Sequence, residues 1–425
     1  MNNIINKYYD IIEKLDSLVL KSDIIEQLQH EYYSENKSFL SEYPSVIIYL
    51  TYRLKDCKDE KYYKVLYSKI EYYLRKLVTS IKENSTNNIS LCYGFTGLVY
   101  TLNFLVQQCK EFSSLLDTFE TILLTLTKDR LSKIKKSSFV KEEYIDVIQG
   151  VSSVAKYLLH KEKLDYDQEL LLREVLDYLV IVLNKRPTIY PNFMPTKELK
   201  QKYPDGYINL GVAHGILGPM SVLASGYKKF NEPKYLTSVE NGLRYYGIAS
   251  QTNETGQIIG WNSRISTKIE SENVEINLSW CYGNLGIARV LYNISRMMDN
   301  HKLERTTIDI FRLSASYLDC VNILNSGVCH GRSGIMLLYN LMYLDTGEEQ
   351  FKNISEHLFC DIINESSDSE YIFIERDIYF RGIIYDKLIE YIDFGLLGGT
   401  VGIALALIGQ KTENTYPLDE MLFMQ

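Results

Sequence analysis

The residues able to do chemistry stand in a repeated frame. Cys281 lies two residues before Gly283, Cys329 and His330 directly precede Gly331, and His214 directly precedes Gly215. Asp146 lies four residues before Gly150. Two thiols and an imidazole make a three-ligand zinc set, Cys281, Cys329 and His330. Three protein ligands leave the fourth tetrahedral position open, as in catalytic rather than structural zinc. Cys281 and Cys329 are 48 residues apart, which is no zinc-finger spacing, so these ligands meet only if a repeat brings adjacent loops together. Each residue taken singly has a blander reading, as a small buried hydrophobe or a capped core histidine. Equivalent positions in neighbouring repeats argue against that reading for the set.

The frame belongs to an internal repeat, a Gly, two residues, a second small residue, then an apolar run. The copies are Gly94-Phe-Thr-Gly97, Gly150-Val-Ser-Ser153, Gly215-Ile-Leu-Gly218, Gly283-Asn-Leu-Gly286, Gly331-Arg-Ser-Gly334 and Gly399-Thr-Val-Gly402. A degenerate first copy is read at Glu42-Tyr-Pro-Ser45, before Val46 to Leu50. First positions recur every 48 to 68 residues, room for two helices of about 15 residues with their connections. Between the copies, Tyr62 to Ile81, Leu115 to Leu131 and Glu169 to Leu183 carry apolar residues at helical spacing. The helix after each glycine pair is apolar on most sides, as in Ile403-Ala-Leu-Ala-Leu407, and so must be buried all round. A buried set inside an amphipathic set predicts an all-α fold, an α/α toroid; an open solenoid is the alternative. The glycines permit left-handed backbone and close chain approach where each loop enters a crowded helix start.

Cys92 shares the frame of Cys281, but its copy would lie across the ring, so it is read as structural. Cys57, Cys109, Cys320 and Cys360 fall off the frame. His30, His160, His301 and His357 sit among polar residues and read as surface or packing groups.

Three segments break the rhythm and read as insertions over one face: 186–207, with four of the eight prolines, 251–277, with a strand expected at Ile258 to Trp261, and 363–394. In the last, Glu370 to Phe380 alternates like a strand. The chain, 1–425, is expected to form one domain.

The composition closes off other classes. A net charge of −8 disfavours nucleic acid as the main partner. Seven thinly spread Cys point to reduced thiols in a cytoplasmic setting. The N-terminus lacks the apolar core of a secretory signal. The longest charge-free apolar stretch, Phe394 to Gly409, falls short of the roughly 20 residues of a membrane span.

The motifs Gly211-Val-Ala-His214-Gly-Ile-Leu-Gly218, Ser279-Trp-Cys281-Tyr-Gly283 and Val328-Cys329-His330-Gly331 resemble those of the LanC-like lanthipeptide cyclases. Asp146-Val-Ile-Gln-Gly150 and Leu397 to Leu405 fit the same family. The resemblance covers essentially the whole chain. It implies a toroid of seven inner and seven outer helices and a Zn²⁺ held by Cys281, Cys329 and His330. The reaction it implies is Michael-type addition of a peptide Cys thiol to dehydroalanine or dehydrobutyrine, closing a thioether ring. A peptide thiol is mostly protonated at pH 7, and zinc binding deprotonates it. His214 would be the acid for the enolate carbon, or the base that first takes the thiol proton. Asp146 would orient the imidazole, and Tyr282 would hydrogen-bond near the metal. The implied partners are a dehydrated precursor peptide of leader and core, a dehydratase and an exporter. Any membrane association would run through those partners.

Family members often carry Arg four residues before the first zinc Cys, where this chain has Asn277. Either that role is weakened here or another cation, Arg264 or Arg332, serves instead. Competing readings are a LanC-like protein adding glutathione or another small thiol, a non-catalytic zinc scaffold, and a prenyltransferase-like α/α enzyme, whose usual Asp ligand is missing from these motifs.

Overall fold

The computed structural model describes residues 2–21, 24–25, 42–83, 85–267, 277–318, 323, 325–366 and 394–425. Among them are fourteen helices of ten or more residues. In chain order these are α1 (Asn2–Leu20), α2 (Glu42–Lys55), α3 (Glu60–Glu83), α4 (Phe95–Val106), α5 (Ser113–Ile134), α6 (Val151–His160) and α7 (Tyr166–Asn184). They continue as α8 (Leu217–Phe230), α9 (Pro233–Ala249), α10 (Asn284–Met297), α11 (His301–Ser314), α12 (Arg332–Thr346), α13 (Glu349–Glu365) and α14 (Thr400–Thr412). The even-numbered helices follow the repeat motifs and are buried nearly end to end. The odd-numbered ones alternate buried and exposed residues, as amphipathic helices do. The three helices expected between the motifs are α3, α5 and α7. The last starts at a capping box, in which Asp165 accepts the Gln168 N–H and the Gln168 side chain accepts the Asp165 N–H.

The chain forms two compact units, and each follows one packing rule. The first comprises Met1–Thr86, Gly97–Asp117 and Asn322–Leu418. In it α2 packs on α3, α12 on α13, and the buried helices α12, α14 and α2 lie side by side in that order. The second comprises Asn87–Thr96, Thr118–Val321 and Asp419–Gln425. In it α6, α8 and α10 form the buried row, each against its amphipathic partner α7, α9 or α11. A hairpin alone leaves its apolar face wet, so each is completed by its neighbour.

Two of the predicted insertions are resolved into structure within the second unit. Segment 186–207 builds its own small core from Ile189, Met194, Tyr203 and Tyr207. Its last residues begin β1 (Tyr207–Asn209). Segment 251–277 holds β2 (Ser250–Thr252, starting one residue early), β3 (Ile258–Trp261) and β4 (Arg264–Ser266). β3 occupies the residues expected for it and pairs antiparallel with β2. β4 pairs antiparallel with β1, setting Arg264 opposite Asn209. That pairing ties the two insertions together. The strand expected at Glu370 to Phe380, most of segment 363–394, residues 268–276, His30 and Cys320 lie outside the described residues. Among the described residues no helix is long and apolar enough to cross a membrane.

One expectation about the glycines needs correction. The first glycines cap their helices in extended, not left-handed, backbone: φ is −84° at Gly283, −114° at Gly331 and −86° at Gly399. Close approach is the constraint instead. A Cβ on Gly286 would overlap the Trp280 carbonyl oxygen, and one on Gly334 would overlap that of Val328.

Candidate metal centre and acid–base pair

Each functional side chain sits on the loop that enters a buried helix, and consecutive loops are joined in order. In the second unit Leu91 donates its N–H to Ile148 O (2.8 Å), Val147 to Ala213 O (3.1 Å), and Val212 and Ala213 to Cys281 O (2.9 and 3.2 Å). In the first unit Val328 and Cys329 both donate to Leu397 O at 2.8 Å. A chemical group on one loop is thereby held in register with that on the next.

The loops share a device that the glycine repeat did not reveal. An Asn stands six residues before the first glycine in four of them: Asn88, Asn209, Asn277 and Asn325. Its Oδ1 accepts the N–H two residues on, from Ser90, Gly211, Ser279 and Gly327 respectively. Its carbonyl accepts the N–H seven residues on, from Phe95, Ile216, Asn284 and Arg332. This is an Asx turn that closes the loop onto its helix. Asn277 therefore has a backbone task shared with three other loops. A constant spacing to the glycine was the signal available in the sequence.

Asp146 and His214 come together within the second unit. His214 Nδ1 lies 2.6 Å from Asp146 Oδ2, while Asp146 Oδ1 accepts the N–H groups of Gln149 (2.6 Å) and Gly150 (2.7 Å). The carboxylate is 1% exposed and anchored at the entry to α6, so it cannot swing away from the imidazole. Burial alone would push His214 down. The hydrogen bond and charge of Asp146, with Glu142 and Cys281 behind them, outweigh it and hold the imidazole above its ordinary pKa. His214 is thus an imidazole that holds its proton to higher pH than a free one, with its side chain a third exposed.

Tyr282 and Arg264 line the neighbouring wall. The Tyr282 ring centroid lies 6.2 Å from that of His214. The Arg264 guanidinium stacks 4.5 Å above Tyr282 and 5.6 Å from the Tyr207 ring. Its buried Nε has no hydrogen-bond partner among the described residues. Glu142 Oε1 accepts from Tyr207 OH (2.8 Å) and Asn209 Nδ2 (2.5 Å), which fixes the carboxylate below this stack. Burial pushes the Tyr282 phenol well up, so it stays neutral, a donor and not a base. Arg332, the other cation considered, is paired with Glu365 at 2.5 Å. A cavity of about 500 Å³ borders the loops that enter α4 and α6, lined by Ser90, Tyr93 and Gln149 with Arg130 and Lys133 of α5.

Cys281 lies on the loop that enters α10 in the second unit, and Cys329 and His330 lie on the loop that enters α12 in the first. Two thiols and an imidazole are, by their chemistry, a donor set that zinc takes. Cys281 is buried and His330 is exposed. Cys92 lies on the loop that enters α4. Its thiol is pushed up to about 12 by burial and by the Asp146 carboxylate, and it stays protonated. His301 and His357 are exposed, and His160 lies 3.5 Å from Glu420.

The family described as "Lanthionine synthetase C-like protein" matches residues 43–423. The chain is 24% identical over 340 residues to "Nisin biosynthesis protein NisC" of Lactococcus lactis subsp. lactis, covering 76% of this chain and 79% of that one. It superposes on the solved structure of "Nisin cyclase" with a TM-score of 0.77 at 19% identity, over 100% of this chain and 98% of that one. That likeness shows the fold, the all-α α/α toroid that the repeat predicts.

Proposed function

Because this chain belongs to the lanthionine synthetase C-like family, we propose that it is a zinc-dependent lanthipeptide cyclase. Its substrate is a dehydrated precursor peptide, in which it closes lanthionine or methyllanthionine rings. The observation that carries this reading is the 2.6 Å Asp146–His214 pair on loops bonded in series to the loop of Cys281. Cys281, Cys329 and His330 would hold Zn²⁺, which supplies a peptide thiol as its thiolate at neutral pH.

In the addition, sulfur bonds to the β-carbon of the dehydrated residue. The carbon–carbon π pair moves onto the adjoining amide as an enolate, which then takes a proton at the α-carbon. The proton gained there balances the one lost by the thiol. His214 donates that proton, and Asp146 holds the imidazole in the donating form and orientation. Arg264, carried beside Tyr282 by β4, offers the positive charge that the enolate oxygen needs and that Asn277 cannot supply. Tyr282 stays protonated and positions Arg264 against the His214 side of the site. The cavity at Tyr93 and Gln149 takes peptide flanking the ring being closed. The whole chain acts as one cytoplasmic domain, working with a dehydratase and an exporter.

Thiol counting tests the reading, since cyclisation leaves mass unchanged. Dehydrated precursor incubated with the zinc-loaded chain should lose alkylatable thiols. Persistence of those thiols overturns the proposal. A mass gain in the presence of glutathione would instead mark addition of a small thiol.

A further inference from the structure

The segment Asp419–Gln425 is not part of the reacting groups, yet it is among the most deeply buried stretches of the second unit. Leu422, Phe423 and Met424 are all fully buried. The segment folds tightly on itself: Met424 N–H donates to Asp419 O (2.8 Å) and Phe423 N–H to Glu420 O (3.1 Å). Phe423 adopts φ of +59°, a left-handed conformation that a bulky residue holds only where its surroundings impose it.

What imposes it is a set of side-chain donors, most of them buried, on and beside the repeat helices. Arg289 Nε of α10 donates to Met424 O at 2.6 Å, and Asn293 Nδ2 of the same helix to the same oxygen at 3.1 Å. Lys156 Nζ of α6 donates to Gln425 O at 2.8 Å and lies 3.7 Å from Glu420. The fourth donor lies in the metal-binding loop itself. Trp280, the residue before Cys281, is fully buried and donates its indole N–H to Leu422 O at 2.8 Å. The Trp280 carbonyl is pressed against Gly286, and the Cys281 carbonyl receives the N–H groups of the His214 loop. The Cys281 loop is therefore gripped by the tail segment, by its own helix and by the loop of the acid.

We propose that Asp419–Gln425 is a positioning strap that sets the place of the Cys281 thiolate through Trp280. The inference rests on the zinc reading of Cys281, Cys329 and His330. Supporting groups behind a ligand commonly change metal affinity by about 10–100-fold, and a ligand thiolate set by its neighbour's indole is such a case. Trp280 is a positioning residue. It is sealed in the interior and acts only through the adjacent cysteine.

The test uses the full chain, with Co²⁺ as a spectroscopic probe and Zn²⁺ in competition. Trp280→Phe keeps an aromatic ring and removes the donor. It is expected to weaken Co²⁺ binding about tenfold or more and to shift the thiolate–cobalt absorption bands, at a temperature where the variant's circular dichroism matches wild type. Wild-type cobalt affinity and spectrum in Trp280→Phe overturn the strap. A wild-type chain that binds no cobalt overturns the strap together with the zinc reading beneath it.

Discussion

Replacing Asp146 by Asn isolates the acid–base pair from the rest of the site. An Asn placed in the same way keeps Oδ1 as acceptor for the Gln149 and Gly150 N–H groups, so the entry to α6 is preserved. Its second atom becomes an amide donor facing His214 Nδ1, where a carboxylate now accepts at 2.6 Å. The imidazole is then driven to its neutral form, with Nδ1 accepting. A hydrogen bond to a charged group contributes about 1.5–3 kcal/mol, and the one-third exposure of His214 trims the expectation to about 2 kcal/mol. At 1.36 kcal/mol per tenfold, that is about a 30-fold fall in the protonated fraction above neutrality. The sign is definite. His214 is raised in the folded protein, so the wild-type acid persists to higher pH than a free imidazole and is lost as pH rises through the folded pKa. In the variant burial is opposed only by the charges of Glu142 and Cys281, and the falling limb moves to lower pH. The stability difference between the two proteins follows the same linkage: it is present below the unfolded His pKa and shrinks as pH rises through the folded value. Initial rates of thiol loss between pH 6 and pH 9, as about the range in which His and thiols titrate, measure the profile, with zinc content as a control. An Asp146→Asn enzyme with the wild-type profile and rate refutes the assignment of His214 as acid.

Three further outcomes follow from the geometry. Arg264→Gln should retain metal and fold but lower the turnover rate by about 10–100-fold, the effect of removing one transition-state charge contact; thiol counting under saturating peptide measures it. Cys92 should resist maleimide in the native protein at pH 8 and react once unfolded, because its thiol is held up to about 12 by burial; peptide mass mapping of the labelled chain decides this. Gly334→Ala should destabilise the chain by about 1–3 kcal/mol, since the added methyl meets the Val328 carbonyl and the loop must move. Denaturant titration reads the loss, and the metal content should fall with it because Cys329 follows Val328.

Much of the site was legible because it rides on a repeat. Gly215, Gly283 and Gly331 mark equivalent loops, and His214, Cys281, Cys329 and His330 are placed by counting from them. The helices were legible from their faces, as with Ile403 to Leu407 against the amphipathic α7. Three features were not. The left-handed glycines were misjudged because close approach and positive φ make the same demand for a missing Cβ, and only coordinates separate them. Asn277 was read against a charged residue in relatives, when its local partner is the Ser279 N–H. The neighbourhood of Arg264 depends on the pairing of β4 with β1, across 57 residues from Tyr207 to Arg264, and no local pattern encodes that register.

The sequence by itself determined the repeat, the buried and amphipathic helices, and which loop each reactive group occupies, because these depend on periodicity and on steric limits within a few residues. Only the tertiary structure decided the partners: Asp146 on His214, Arg264 on Tyr282, and Trp280 on the carbonyl of Leu422. Those choices depend on which donors and acceptors are left buried once the hairpins pack. A residue far along the chain satisfies them at the same free energy as a near one, and so leaves no mark at any fixed spacing.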